Sequence, residues 1–339
     1  MNIRTVYIEI TNRCNLNCRT CYNQSGMNRE TNEISVVQLE DMINMFIPYG
    51  LKRVLISGGE PTLHSDFNGI LKLFDKYTDI TFGIVTNGTT ESSVLAEYVN
   101  SHDNMILQIS LDGSTNEVNS RTRSKGHFEK VIQFIDSVRQ SKAERRLKTV
   151  VSQRNYDDIE PYYKFAMSCR FIPEFAFIYR SGNGEYDWEN ISLSDIQRIK
   201  AVKLIDKLNS DFGQNAFLPI CTNTCPYIRD QKDLSICIKT DGSIQPCQTL
   251  YGNEYSIGNV FDFDDASFQN KLGQIAKIAK LRTQQDYGCK GCLICEYCGR
   301  GCMAEAVCLH GDSLADDGNC NFRKTLFIEQ RIKGNIRNG

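Results

Sequence analysis

Two periodicities alternate through the first 180 residues. Short apolar, β-branched runs predict strands: Val6–Ile10, Val54–Ser57, Thr81–Thr86, Met105–Leu111, Lys148–Ser152 and Glu174–Tyr179. Between them, Val36–Phe46, Phe67–Tyr77, Glu91–Tyr98, Phe128–Arg139 and Asp157–Met167 repeat apolar residues at helical spacing. Strand and helix in turn imply parallel strands joined by right-handed crossovers, hence an α/β fold, a partial (β/α)6 TIM-like barrel. In such barrels the chemistry gathers on the loops that leave the C-terminal ends of the strands.

The pattern changes near residue 180. The segment SGNGEYDWEN (181–190) is turn-rich, and the helix after it has Ser192 or Ser194 as N-cap and Ile196, Ile199, Val202, Ile205 and Leu208 along one face. From Cys221 onward the apolar runs shorten to Leu234–Lys239 and Ser243–Pro246, separated by Gly, Cys and Asp. The expected division is a barrel over 1–184, a bridging helical region over 185–216, a small cysteine-rich domain over 217–325 and a tail over 326–339.

Charge adds little direction. With 39 Lys and Arg against 41 Asp and Glu, no field predicts nucleic acid or a membrane surface as partner. No apolar run approaches the roughly 18 residues that span a bilayer, and no secretory h-region opens the chain, so a cytoplasmic protein is expected. Cysteine changes the picture. Of fifteen, three fall within residues 14–21, one stands alone at Cys169, and eleven lie from Cys221 to Cys320. In a reducing compartment such clustering argues for metal or cluster ligands; a secreted disulfide scaffold is the alternative, which the long α/β pattern disfavours.

Cys14-Asn-Leu-Asn-Cys18-Arg-Thr-Cys21-Tyr22 is a C-x3-C-x2-C array in the loop leaving the first strand. By spacing alone it suits an iron-sulfur cube with one open iron, with zinc or a structural cluster as the alternative. Ser57-Gly58-Gly59-Glu60-Pro61 ends the second strand, Thr86-Asn87-Gly88 the third and Ser110-Leu111-Asp112-Gly113 the fourth; RTRSKGHF follows, and Asn155 lies after the fifth. Together these resemble the radical S-adenosylmethionine superfamily over residues 4–180. The resemblance implies that Cys14, Cys18 and Cys21 hold a catalytic [4Fe-4S] cluster, and that Tyr22, Gly58, Gly59, Glu60, Asn87, Ser110 and Arg123 bind S-adenosylmethionine. Arg123 is expected to present its planar fork to a carboxylate, in preference to Arg121.

Cys289-x2-Cys292-x5-Cys298-x3-Cys302, followed by Cys320, resembles the SPASM domain, and Gly242-x4-Cys247 with Cys225 upstream resembles its first half. The resemblance implies two auxiliary [4Fe-4S] clusters: one on Cys221, Cys225, Cys247 and Cys302, the other on Cys289, Cys292, Cys298 and Cys320. Sixteen residues separate Cys225 from Gly242, more than the usual gap, and Cys221 is the weakest member of the set. Cys169, Cys237, Cys295 and Cys308 remain unassigned; buried small apolar residues or a hydrogen-atom donor are the alternatives. A pair of zinc sites is the alternative for the whole region.

Superfamily members with this pair of modules mostly modify ribosomal peptides by crosslinking, thioether formation or epimerisation. The implied activity is reductive cleavage of S-adenosylmethionine to a 5′-deoxyadenosyl radical that takes a hydrogen from a peptide substrate. The implied electron donor is of flavodoxin or ferredoxin type. The chain enters its first strand at residue 4, so a separate protein is expected to supply leader recognition, unless the substrate docks unaided on a rim that includes Arg180, Glu185, Tyr186, Asp187 and Trp188. Alternatives are dehydrogenation of a small biosynthetic intermediate, a non-catalytic iron-sulfur electron carrier, and a sulfatase maturase. Gln248 counts against the maturase, because those enzymes usually carry Asp after the cysteine equivalent to Cys247.

Overall fold

The computed structural model describes residues 1–26, 31–90, 93–214, 225–228, 233–250, 252–284 and 289–337, without the side chains of 330–337. Six parallel strands, β1 (Ile3–Thr11), β2 (Arg53–Gly58), β3 (Thr81–Thr86), β4 (Met105–Ser110), β5 (Glu144–Val151) and β6 (Ile172–Phe177), pair in sequence order. The crossover helices are α1 (Val36–Phe46), α2 (Phe67–Phe74), α3 (Ser93–Ser101), α4 (Asn116–Asn119) with α5 (His127–Ser137), and α6 (Ile159–Ser168). Sequence periodicity placed α1 and β3 to the residue. The start of the helix expected over Glu91–Tyr98 falls on residues 91 and 92, outside the described residues.

Alternation sorts each strand into two faces. On β1, Val6, Ile8 and Ile10 join the continuous core beneath the helices, whereas Tyr7 and Glu9 face the other side. The sheet curls around that second face. Laid flat, β1 and β6 would stand about 24 Å apart, yet Tyr7 on β1 feels the charges of Arg146 on β5 and Glu174 on β6. The lumen so formed is polar: Glu174, nearly buried, pairs with Lys148 at 2.8 Å and Arg146 at 3.5 Å.

The cysteine-rich part does not stand apart from the barrel. Strand β7 (Leu234–Ile238) pairs in parallel with β1, and β8 (Ser243–Gln245) and β9 (Gly258–Asn259) follow antiparallel, giving one nine-stranded sheet ordered β6-β5-β4-β3-β2-β1-β7-β8-β9. The linker folds as two short helices, α7 (Asn183–Tyr186) and α8 (Trp188–Ile191), then α9 (Asp195–Phe212), which Ser194, not Ser192, caps in a capping box with Gln197. Beyond β9 come α10 (Asp265–Leu281), α11 (Cys295–Cys298), α12 (Met303–His310) and α13 (Cys320–Arg337), the last running through the boundary expected at 325. Helix α9 is a true bridge. Tyr163 of α6 donates to Asn209 at 2.8 Å, and Arg198 of α9 donates to Asn319, beside the start of α13, at 2.7 Å. No described helix is long and apolar enough to cross a membrane.

Candidate active site

The loop after β1 is shaped by backbone bonds from three other elements. The amide of Gly59 donates to Thr11 O and that of Glu60 to Arg13 O, both at 2.7 Å; Arg19 donates to Thr122 O at 2.9 Å. Asn183 closes the loop from below, its backbone N–H on Cys21 O and its side-chain amide on Cys18 O, each at 2.8 Å. Gly59 packs so tightly on the loop that a Cβ would enter the carbonyl of Arg13, so only glycine fits.

This framework sets Cys14, Cys18 and Cys21 half-buried in one loop. Two donors reach their sulfurs: Asn87 Nδ2 lies 3.8 Å from Cys14 Sγ, and Arg123 Nη1 lies 3.8 Å from Cys18 Sγ. Burial pushes the Cys14 thiol up to about 12, with Glu60 and the other two thiols adding to it; Cys18 is raised too, against the pull of Arg123. Left alone these groups stay protonated, and a metal centre is what would draw them into the thiolate form. Among the described residues no three His, Cys, Asp or Glu converge tightly enough for a single metal ion. The three thiols share one loop, and N–H donors lie against two of them, the kind of partner that sulfur ligands take.

Glu60 sits differently from the expectation of an open acceptor. Fully buried, its carboxylate accepts from Thr62 Oγ1 and Thr86 Oγ1, each at 2.6 Å, from Thr62 N at 3.3 Å and from Asn87 N at 2.7 Å. Arg123 likewise spends its fork on an internal partner, Asp112, with Nε to Oδ2 at 2.8 Å. Asp112 also accepts from Thr122 Oγ1 at 2.9 Å and Val150 N at 3.1 Å, while Asn155 binds its carbonyl at 2.9 Å. His127, buried, joins the two halves: Nε2 lies 3.0 Å from Asn87 O and Nδ1 3.0 Å from Asn119 Nδ2, and Asn119 Oδ1 in turn accepts from Asp112 N. A continuous chain therefore runs Cys14, Asn87, His127, Asn119, Asp112, Arg123, Cys18. Sequence reasoning missed Asp112, His127 and Asn183 as parts of the site; the signal was present only as ordinary polar residues in loops.

Tyr22 lies beneath the ammonium of Lys239, 5.7 Å from its ring centroid, and burial raises its hydroxyl well above the usual range. Lys239 pairs with buried Glu9 at 2.6 Å, so the third cysteine's neighbour touches the end of β7. Ser110, half-buried, ends β4 opposite Lys148 in the ladder, on the lumen side of the sheet. Gly58 stands at the β2 end, where a Cβ would enter the carbonyl of Thr11.

Two further groups of thiols lie in the C-terminal part. Cys225, Cys247 and Cys302 are electrostatic neighbours; burial and that proximity push Cys225 to about 11 and Cys302 well above the usual range. Cys221 lies outside the described residues. In the second group Cys320 feels Cys298 and Cys292, and Cys298 Sγ accepts from Arg323 Nε at 3.1 Å, Arg323 itself forking onto Asp317. Cys289 and Cys292 follow one another in a tight turn, Cys292 N to Cys289 O at 2.9 Å. Of the unassigned thiols, Cys237 is fully buried on β7, Cys295 is buried and donates to Thr283 O at 3.2 Å, Cys169 caps α6 and Cys308 is exposed.

The family model described as Radical SAM superfamily matches residues 8–166. "Mycofactocin maturase MftC" of Mycolicibacterium smegmatis is 27% identical over 307 residues, covering 87% of this chain and 77% of that protein. Streptococcus suis SuiB bound to S-adenosylmethionine superposes with a TM-score of 0.76 at 18% identity, over 94% of this chain and 77% of that chain. Native anSMEcpe with bound AdoMet and Cp18Cys peptide superposes with the same TM-score, 0.76, at 21% identity over 100% of both.

Proposed function

We propose that this chain, which carries a radical SAM domain over residues 8–166, cleaves S-adenosylmethionine reductively and directs the resulting radical at a ribosomal peptide for crosslinking, thioether formation or epimerisation. The observation that carries the reading is the pair of N–H donors, from Asn87 and Arg123, aimed at Cys14 and Cys18 within one polar chain. Such donors stabilise sulfur ligands that have lost their protons.

Cys14, Cys18 and Cys21 would hold the catalytic cluster, which when bound would supply the electron for cleavage of the sulfonium. The rest is the work of this chain's side chains. Glu60 holds the turn after β2 and the Asn87 amide in register, so that Gly58 and Gly59 offer backbone to the cofactor's methionine end. Ser110, at the end of β4, Asn87, after β3, and Tyr22 would hold the cofactor beside the cluster loop. Arg123, fixed by Asp112, contributes charge beside Cys18. The charged lumen of Lys148, Arg146 and Glu174 receives the substrate and excludes bulk water.

Peptide as the substrate class is supported by the relative named as a maturase and by a like-folded chain seen with a bound peptide. Cys221, Cys225, Cys247 and Cys302, and Cys289, Cys292, Cys298 and Cys320, would hold two auxiliary [4Fe-4S] clusters that would supply electron acceptors, and a flavodoxin- or ferredoxin-type protein would be the donor for the catalytic centre. Anaerobic, dithionite-reduced protein incubated with S-adenosylmethionine is expected to release 5′-deoxyadenosine, and the Cys14→Ala/Cys18→Ala/Cys21→Ala variant none. Equal yields from both proteins would sink the proposal.

A further inference from the structure

Arg282, at the C-cap of α10, is fully buried. All of its hydrogen bonds go to carbonyl oxygens: Nε to Gly299 at 2.9 Å, Nη1 to Ser313 and to Ala315 at 2.7 Å, and Nη2 to Arg300 at 3.1 Å and Gly301 at 3.4 Å. Among the described residues no carboxylate lies within ion-pair distance of it, and the nearby Asp317 is already forked onto Arg323. A buried guanidinium whose hydrogen bonds all go to neutral carbonyls, and whose nearest carboxylate charge, that of Asp317, is shared with Arg323, keeps much of its desolvation cost. The groups that feel its charge include the thiols of Cys225 and Cys302. Its carbonyl partners Gly299, Arg300 and Gly301 form the whole of the loop between Cys298 and Cys302.

We infer that Arg282 is the built-in counter-cation of the first auxiliary cluster and the clamp that positions the Cys298–Cys302 loop shared by both auxiliary sites. The inference rests on the cluster assignment proposed above. Four thiolates around a cube carry a net negative charge, which supplies the anion that the buried guanidinium lacks. A cation there favours the reduced, more negative state, so Arg282 raises the reduction potential of that cluster and makes it the better electron acceptor. Arg282 is a positioning residue, touching neither substrate nor the reacting atoms.

The experiment is a potentiometric titration followed by electron paramagnetic resonance, in the Cys14→Ala/Cys18→Ala/Cys21→Ala background, so that only auxiliary signals remain. In that background R282Q and R282M are expected to lower the reduced-to-oxidised ratio of one cluster at least tenfold at the parent midpoint, a shift of about 59 mV for one electron. R282K, which keeps the charge and loses the fork, retains the parent potential while its Cys298–Cys302 loop exchanges amide hydrogens faster. R282M fills the same space with an apolar chain and serves should R282Q fail to fold. Unchanged potentials in both neutral variants, with iron content intact, would overturn the inference. Absence of auxiliary signals in the background protein itself would instead defeat the cluster assignment.

Discussion

Asn87 has three duties at once: its side-chain amide reaches Cys14 Sγ and Asn15 Oδ1, its backbone N–H holds Glu60, and its carbonyl meets His127. Asn87→Asp sets a second negative charge against the Cys14 ligand, so S-adenosylmethionine cleavage is expected to fall tenfold or more with iron content unchanged, as read by 5′-deoxyadenosine release and iron assay. Glu60→Gln replaces an acceptor of four donors by a group with one oxygen and two N–H, leaving at least one buried donor unmet; a loss of about 1–3 kcal/mol follows, measurable by urea unfolding of the apoprotein. His127 contributes one pH-dependent step, read as the difference between parent and His127→Gln because Glu305, its carboxyl raised by burial to about 7, opposes it over the same range. Burial, helped by Arg123, lowers the imidazole to about 4 from 6.5. The unfolded chain therefore binds a proton before the native one does, and stability is full above about 6.5 and lost as pH falls toward 4. At 1.36 kcal/mol per unit this amounts to at most about 3 kcal/mol. Denaturant midpoints from pH 7 to 4.5 should show the slope, and a slope of the same size in His127→Gln would contradict it.

At the scale of elements, the bridge loop grips the cysteine loop through two adjacent residues, Gly182 and Asn183. Gly182 adopts a positive φ of 58°, and a Cβ there would enter the carbonyls of Cys21 and Tyr22. Gly182→Ala should push that loop away from Asn183 and abolish retention of the catalytic cluster, leaving auxiliary absorbance in place; full cluster occupancy would show that the contact is dispensable. The loop's own cysteines were plain in the sequence, because ligand spacing is local. Asn183, which ties down Cys18 and Cys21, was not, because nothing in the order of residues tells a turn-rich boundary segment which distant loop it meets. Strand β5 shows a second limit. Its expected start at Lys148 comes four residues late, since Glu144 and Arg146 face the polar lumen while Arg145 binds the carbonyls of Val138 and Arg139, and such charges mask the apolar signal of a strand. Strand β7 was legible as a strand, but its partner was not; pairing with β1 spans some two hundred residues and leaves no trace in periodicity.

For the whole molecule, the cysteine count sets a quantitative expectation. Three cubes call for about twelve irons in the reconstituted protein, falling to about eight in the Cys14→Ala/Cys18→Ala/Cys21→Ala variant; zinc and a colourless protein would reject the clusters altogether. Glu9, buried, and Lys239, half-buried, pair across β1 and the end of β7 and so join the loop after β1 to the cysteine-rich part.

The β1–β7 pairing also fixes an order of events during synthesis. The first strand to leave the ribosome is the sixth from the far edge of the finished sheet, and its outer side stays an open edge until residues 234–238 arrive. A barrel half of β1 to β6 thus waits with unpaired backbone groups along the outer side of β1. Contacts of such sequence separation form slowly. A chain stopped before residue 234 should therefore aggregate through that edge.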